Sequence, residues 1–392
     1  MKACVGVIFG GISVEHEVSI ISASQVMHAI DRERYSVLPI YIGKDGTWYT
    51  GNSLTEIAEF KNIDALLSKC SPIFLGRHGY ISRFPLRYFS RNSIGKIDVA
   101  FPVVHGSRGE DGTLQGYLEM MGVPYVGSDV LASAIGMDKV AMKAAFSHAN
   151  LPILTYVWSH AREWLQQESS VIDRIERAFP YPVIVKPTNL GSSIGVTSAT
   201  AQSELSAAVE IALAYSNRVI IEPMVQNLRE INCSVLGDYE SLEASVCEEP
   251  IRASGLLTFD DKYAAGSSAK GMQGAKRRIP ADISATLAST IQDLAKRAFS
   301  AVQASGVARI DFLLDEATNR VYVNEINTIP GSIAFYLWEH SGLSFTNLID
   351  KLIRLALKRD RENNQLTSTH PTNLLSMASK GGSKTQERSG RG

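Results

Sequence analysis

Cysteine is scarce in this chain of 392 residues. There are four, Cys4, Cys70, Cys233 and Cys247, with no Cys-x-x-Cys spacing among them. That excludes a disulfide framework and a cysteine-built zinc site, and it reads as reduced thiols in a cytoplasmic protein. Long apolar runs are missing, and none approaches the roughly 20 residues of a membrane span. The first apolar stretch, Ala3–Phe9, is too short for the core of a signal peptide with its flanks. Excess charge of one sign is also missing. Lys and Arg number 39 against 40 Asp and Glu, a net charge of −1, so nothing electrostatic points to nucleic acid or to an anionic membrane. No internal repeat is present. With 45% hydrophobic and 20% charged residues, the chain can bury a sizeable core and divide into two or three domains.

The most informative stretch is 309–331. Two apolar-rich runs, Arg309–Leu314 and Arg320–Ile326, flank an Asp-Glu-Ala-Thr-Asn turn, which predicts a β-hairpin. Side chains alternate along a strand, so Arg309 and Asp311 share one face, as do Glu325 and Asn327. Closing the hairpin brings Asp311 opposite Glu325. Two carboxylates and an amide oxygen on adjacent strands suit Mg²⁺, and an arginine beside them can stabilise developing charge. A plain edge hairpin with solvated acids is the competing reading, but the polar residues sit at alternate positions between Ile, Phe, Leu and Val. After Pro330, Gly331 offers an unobstructed backbone N–H as a candidate oxyanion donor.

Other loops carry weaker signals. The opening strand, a Gly10-Gly11 loop, a helix through Ile30 and the strand Tyr35–Ile42 make a β-loop-α-β unit. The loop lacks a GxGxxG fingerprint. Glu15 lies where a loop at a sheet's carboxyl edge faces a ligand, or serves only as a helix-dipole partner. Residues 50–95 show no clear period. Ile97–Val104 reads as a buried strand running into His105-Gly106-Ser107-Arg108-Gly109-Glu110-Asp111-Gly112, where His105 is either a ligand group or a satisfied loop histidine. Lys139 and Lys143 lie on one predicted helix. Lys186 ends an apolar strand before a Gly191-Ser192-Ser193-Ile194-Gly195 loop whose N–H groups and hydroxyls suit phosphate oxygens, although it is no Walker A loop. Glu222 ends another strand. Residues 255–276 form a long polar loop of the lid kind, and from about residue 363 the composition predicts a disordered tail.

Taken together, GGISVEHEVS, HGSRGEDGTLQG, SAIGMDK, VIVKPTNLGSSIGV, DDKY and RIDF…VNEINTIPG, in that order, resemble the D-alanine–D-alanine ligase family of ATP-grasp enzymes, over about residues 3–358. The resemblance implies an α/β (α+β) chain of three-domain ATP-grasp architecture. An N-terminal parallel α/β substrate domain would span 1–127, a central ATP-grasp subdomain 128–222, a C-terminal catalytic domain 223–362 and a tail 363–392. It implies a cytoplasmic homodimer acting on small molecules, with ATP and two Mg²⁺ (or Mn²⁺) ions. The implied reaction makes a dipeptide for peptidoglycan precursors through an acyl phosphate. Glu15 would receive the first substrate's ammonium, with Ser192 and Tyr263 fastening the lid. His105 would line the substrate pocket, and Arg309 and Gly331 would hold the oxyanion. Lys139, Lys186, Ser193, Glu222, Glu230, Lys262 and Asn324 would hold the nucleotide, and Asp311, Glu325 and Asn327 the metal. Two departures stand out. The Glu222–Glu230 turn is one residue longer than the usual pattern. The Ser-Leu pair that binds the second amino acid's carboxylate reads Tyr336-Leu337 here, which leaves D-serine, D-lactate or another amino acid as alternative acceptors.

Overall fold

The first strand reads Ala-Cys-Val-Gly-Val-Ile-Phe-Gly, a continuous apolar run of the kind a strand covered on both faces requires. It is β1 (Ala3–Gly10), and it pairs in parallel with β2 (Tyr35–Ile42) and β7 (Val99–Pro102). In this computed structural model residues 2–86, 92–251, 277–367 and 369 are described. Lys262 and Tyr263, with the polar loop around them, lie outside the described residues, as does nearly all of the expected tail. Met1–Leu357 form one unit and Lys358–Gly392 another.

Residues 50–95, which show no clear period in the sequence, belong to an extension of the parallel core. β3 (Trp48–Thr50), β4 (Ser71–Leu75), β5 (Tyr80–Arg83) and β6 (Ser93–Lys96) add four short antiparallel strands, giving the order β6-β5-β4-β3-β2-β1-β7. Strands of three to five residues are too short to display an alternation. Helix α1 (His16–Ala29) covers this sheet, α2 (Ile63–Ser68) lies in the extension, and α3 (Thr113–Met121) follows β7. Between β1 and α1 the chain turns at Gly10 and Gly11, with φ of +89° and +97°. A Cβ at Gly10 would lie 2.3 Å from the Ile42 carbonyl oxygen, so only glycine fits.

Helices α4 (Val130–Met137) and α5 (Lys139–His148) follow. Asp138 caps α5 by accepting from Val140 N and Ala141 N. A four-stranded sheet of order β10-β9-β11-β8 is built from β8 (Val157–His160), β9 (Val183–Pro187), β10 (Thr197–Ala199) and β11 (Arg218–Pro223). Helices α6 (Ala161–Ala178) and α7 (Gln202–Leu213) bury an apolar face against it.

The third sheet has the order β14-β13-β12-β15-β16 and holds the predicted hairpin. Its strands are β12 (Leu228–Gly237), β13 (Leu242–Pro250), β14 (Arg277–Arg278), β15 (Gly306–Asp315) and β16 (Arg320–Asn327). Helix α8 (Ala285–Ala301), capped by Ser284, packs Ile291, Leu294, Ala295 and Phe299 under it. After β16 come the buried α9 (Phe335–His340) and α10 (Phe345–Asn363). Helix α10 buries the predicted stripe Leu348, Ile349, Leu352, Ile353 and Ala356 in one core with α1 and β1. The four cysteines are free thiols. Among the described residues no helix is long and apolar enough to cross a membrane.

Candidate active site

Asp311 pairs with Glu325 across the hairpin, as the alternation predicts, and Arg309 pairs with Asn327. One feature escapes the alternation. Phe312 pairs with Val323, so Asn324 is an extra residue, a β-bulge beside the acids. The bulge directs Asn324 Oδ1 to Lys186 Nζ (3.3 Å) on the four-stranded sheet.

Around the hairpin the charges are paired. Arg309, buried, grips Asp311 with one edge of its guanidinium, Nε to Oδ1 (2.6 Å) and Nη2 to Oδ2 (2.7 Å). Burial acts against this guanidinium, but Asp311 holds it well above its ordinary value. Asn327 Nδ2 donates to Asp311 Oδ2 at 3.2 Å. Lys139 Nζ lies 3.7 Å from Glu325 Oε2 and donates to the Leu190 carbonyl (2.7 Å). No group of three or more His, Cys, Asp or Glu converges among the described residues, so a metal here would rest on two carboxylates and one amide. That all-oxygen set fits a hard divalent cation.

Glu222 lies 1% exposed between two lysines, with Lys143 Nζ 2.5 Å from Oε1 and Lys186 Nζ 2.5 Å from Oε2. Burial would raise its carboxyl, but the two ammonium groups bring it down to about 2. Burial pulls Lys143 below the ordinary lysine value despite Glu222. At Lys186 burial acts downward too, yet Glu222 keeps it raised. Glu230, on β12, adds to the field on Lys186. Sequence reasoning left Lys143 without a role. The signal was its position four residues after Lys139, on the same helix face.

A third group forms around Glu15. The Ser192 hydroxyl donates to Glu15 Oε1. Ser192 and Ser193 both hold φ near +55°, at +54° and +59°, a conformation that turns the loop sharply. The Glu15 carboxylate is packed so closely that a Cβ at Gly106 would lie 2.7 Å from Oε2, and one at Gly191 3.2 Å. Glu110 accepts from Gly106 N (2.7 Å) and Ile329 N (3.2 Å), and burial with Glu15 nearby pushes its carboxyl up. Glu110, Lys139, Gly191, Glu325 and Asn327 line one cavity of about 30 Å³. This cavity joins the Glu15 group to the hairpin.

His105 is buried, with Nδ1 2.9 Å from the Ile329 carbonyl and Nε2 2.9 Å from Ser22 Oγ. Burial takes it down to about 4, so the ring is neutral at pH 7. A carbonyl only accepts, so Nδ1 carries the proton and Nε2 accepts from Ser22. Ser22 in turn accepts from Ser332 N (3.0 Å). That bond steadies the turn after Gly331, where Ser332, Ile333 and Ala334 take φ of +54°, +55° and +49°. Sequence reasoning missed Ser22, 310 residues from Ser332, because nothing local signals the contact.

Tyr336 and Leu337 are buried on α9, 4% and 0% exposed. The Tyr336 hydroxyl donates to Glu248 Oε1 (3.1 Å), and burial pushes its pKa up to about 12.

A four-stranded and a five-stranded antiparallel sheet, with Lys186 of one reaching Asn324 of the other and Lys139 of α5 reaching Glu325, make up the arrangement of an ATP-grasp ligase. The family model for the D-ala D-ala ligase N-terminus matches residues 4–128, and that for the C-terminus residues 145–354. The chain belongs to the D-alanine–D-alanine ligase family. It is 42% identical over 372 residues to the D-alanine–D-alanine ligase of Heliobacterium modesticaldum, covering 92% of this chain and 96% of that protein. With the ligase of Geobacillus thermodenitrificans it shares 40% identity, covering 94% and 99%. Among solved structures it is similar to the D-alanine-D-alanine ligase from Coxiella burnetii (TM-score 0.77, 31% identity, 97% and 99% covered). It is similar as well to the VanG D-Ala:D-Ser ligase from Enterococcus faecalis (TM-score 0.77, 32% identity, 91% and 100% covered).

Proposed function

We propose that the protein is an ATP-dependent ligase that joins two D-alanine molecules, releasing ADP and phosphate, to supply the dipeptide of peptidoglycan precursors. The observation that carries this reading is the cavity shared by the Glu15 group and the hairpin. Glu325 and Asn327 line it together with Gly191, which packs against Glu15, and an amino acid with its ammonium at Glu15 would direct its carboxylate towards Asp311, Glu325 and Asn327. Those three residues would hold Mg²⁺, which when bound neutralises phosphate charge. Phosphoryl transfer asks mainly for position and positive charge. Lys139 and Lys186 supply that charge, with Ser193, Glu222, Glu230 and Asn324 around the nucleotide.

The first carboxylate takes the terminal phosphoryl group of ATP. The amine of the second amino acid then attacks the acyl carbon, and phosphate leaves. The oxyanion that forms between those steps falls to Arg309 and the Gly331 N–H. His105, neutral and fixed at both nitrogens, shapes the pocket beside Glu15 and shuttles no proton. The same reading makes the enzyme a cytoplasmic homodimer working on small molecules.

The test is the product balance with ATP, Mg²⁺ and D-alanine. One ADP, one phosphate and one D-alanyl-D-alanine per turnover are expected. ATP consumption that yields a product only when D-serine or D-lactate is added would replace the acceptor. AMP as the nucleotide product would overturn the chemistry.

A further inference from the structure

The carboxyl ends of the parallel strands frame a cavity that the catalytic residues leave unused. Helix α1 joins β1 to β2, while β7 flanks β1 on its other side. Open α/β sheets hold ligands at such a switch point, outside the carboxyl ends of their strands. A cavity of about 390 Å³ opens there, within the roughly 300–1,000 Å³ of small-molecule sites. It is lined by Gly11 just past β1, Ile42 at the end of β2 and Val104 just past β7. Its walls are aromatic, with Phe74 from β4 and with Trp48 against Tyr117, ring centres 5.7 Å apart. The Tyr117 hydroxyl is already satisfied by the Leu75 carbonyl.

Among the described residues Arg108 is the only charged side chain in this lining. It is exposed, with φ +65°, and its backbone N–H donates to Asp111 Oδ2 (2.8 Å). Its guanidinium makes no ion pair or hydrogen bond among the described residues. A guanidinium with its donors open beside an apolar cavity selects an anion with an apolar body. No acid lines the cavity, so an amino acid would find no partner there for its ammonium. Both loops that line it lead to Glu15. Gly11 accepts from His16 Nδ1 (2.7 Å) and Ser13 Oγ from Glu15 N (3.1 Å). On the other loop Gly106, which packs on the Glu15 carboxylate, lies two residues from Val104 and two from Arg108.

We propose that this cavity is a regulatory site for a small amphiphilic carboxylate, and that its occupancy shifts the affinity for the first amino acid. The apolar body lies between Trp48, Phe74 and Tyr117, and the carboxylate meets Arg108. The ligand site stands on the cavity and its one cation. The effect rests on the ligase reading, which puts the first ammonium at Glu15. A ligand that fixes the Gly11 and Arg108 loops changes the cost of ordering them around that ammonium, and the coupling is reciprocal.

The probe is 4-phenylbutyrate, with 4-phenylbutanol as its neutral counterpart. Calorimetry on the full chain, without ATP or D-alanine, should give a dissociation constant of about 1 mM or tighter for the acid. Binding should weaken about tenfold or more for the alcohol, and for the acid in Arg108→Asn. Asparagine tolerates the positive φ, and the exposed position leaves the fold intact. The effect is read as D-alanyl hydroxamate, formed when hydroxylamine traps the acyl phosphate. Saturating probe should move the KM for D-alanine in that assay about fivefold, and leave it unmoved in Arg108→Asn. No binding by the acid, equal binding of acid and alcohol, or binding unchanged in Arg108→Asn would overturn the site. A KM that stays put in the wild type, or moves equally in the variant, would overturn the regulation. A second copy of this chain is the competing occupant. If the probe fails to bind and Phe74→Ser turns a dimer into monomers on sedimentation, the face is an interface and the proposal falls. Absence of hydroxamate with binding intact would instead overturn the ligase reading and the effect that rests on it, and leave the ligand site standing.

Discussion

Ser22 holds two distant segments at once. Its hydroxyl donates to His105 and accepts from Ser332, so one oxygen fixes both a histidine tautomer and the turn beyond Gly331. Ile333, β-branched, sits at φ +55° in that turn, a costly conformation for such a side chain. Replacing Ser22 with Ala leaves a buried N–H and a buried imidazole nitrogen unmatched, at a cost of about 1–3 kcal/mol. Urea denaturation of Ser22→Ala should show that loss, with a lower kcat as the Gly331 N–H drifts. Wild-type stability and kcat together would show that the contact does neither job.

At the scale of elements, the Lys143–Glu222–Lys186 group joins α5, β11 and β9, while Asn324 on the bulge of β16 reaches the same lysine. Removing one member of a buried ion pair costs far more than the pair contributes, because the remaining charge is stranded. Glu222→Gln should therefore lower stability by about 3–5 kcal/mol, read from the urea midpoint, and a loss below about 1 kcal/mol would contradict the arrangement. The hairpin was legible in the sequence because polar residues at every second position fix which side chains share a face. The bulge was not, since one inserted residue leaves composition and alternation nearly intact. Residues 50–95 were opaque because their strands are too short for a period. Ser22 was opaque because its partners lie on other elements far along the chain.

For the whole molecule, buried titratable groups make stability depend on pH in opposing ways. His105 is held at about 4 against an ordinary 6.5. The unfolded chain therefore binds the extra proton between those values, and stability falls as pH drops from 6.5 to 4, by about 3 kcal/mol. Glu110, raised by burial, acts with the opposite sign, since the folded state takes up its proton first as pH falls. Glu222, held at about 2, loses its contribution only below about pH 4.5. The His105 part is isolated by comparing wild type with His105→Gln at pH 7 and pH 4. The variant should lose about 3 kcal/mol less on acidification, and equal losses would show that the histidine is not held neutral.

The most direct test of the whole account follows the oxygen. With D-alanine labelled by ¹⁸O in its carboxylate, activation as an acyl phosphate transfers one labelled oxygen to each phosphate released. The account predicts one ¹⁸O per phosphate by mass spectrometry, with dipeptide formed in equal amount. Unlabelled phosphate would mean that the carboxylate is never phosphorylated, and that the geometry around Asp311, Glu325 and Arg309 serves a different reaction.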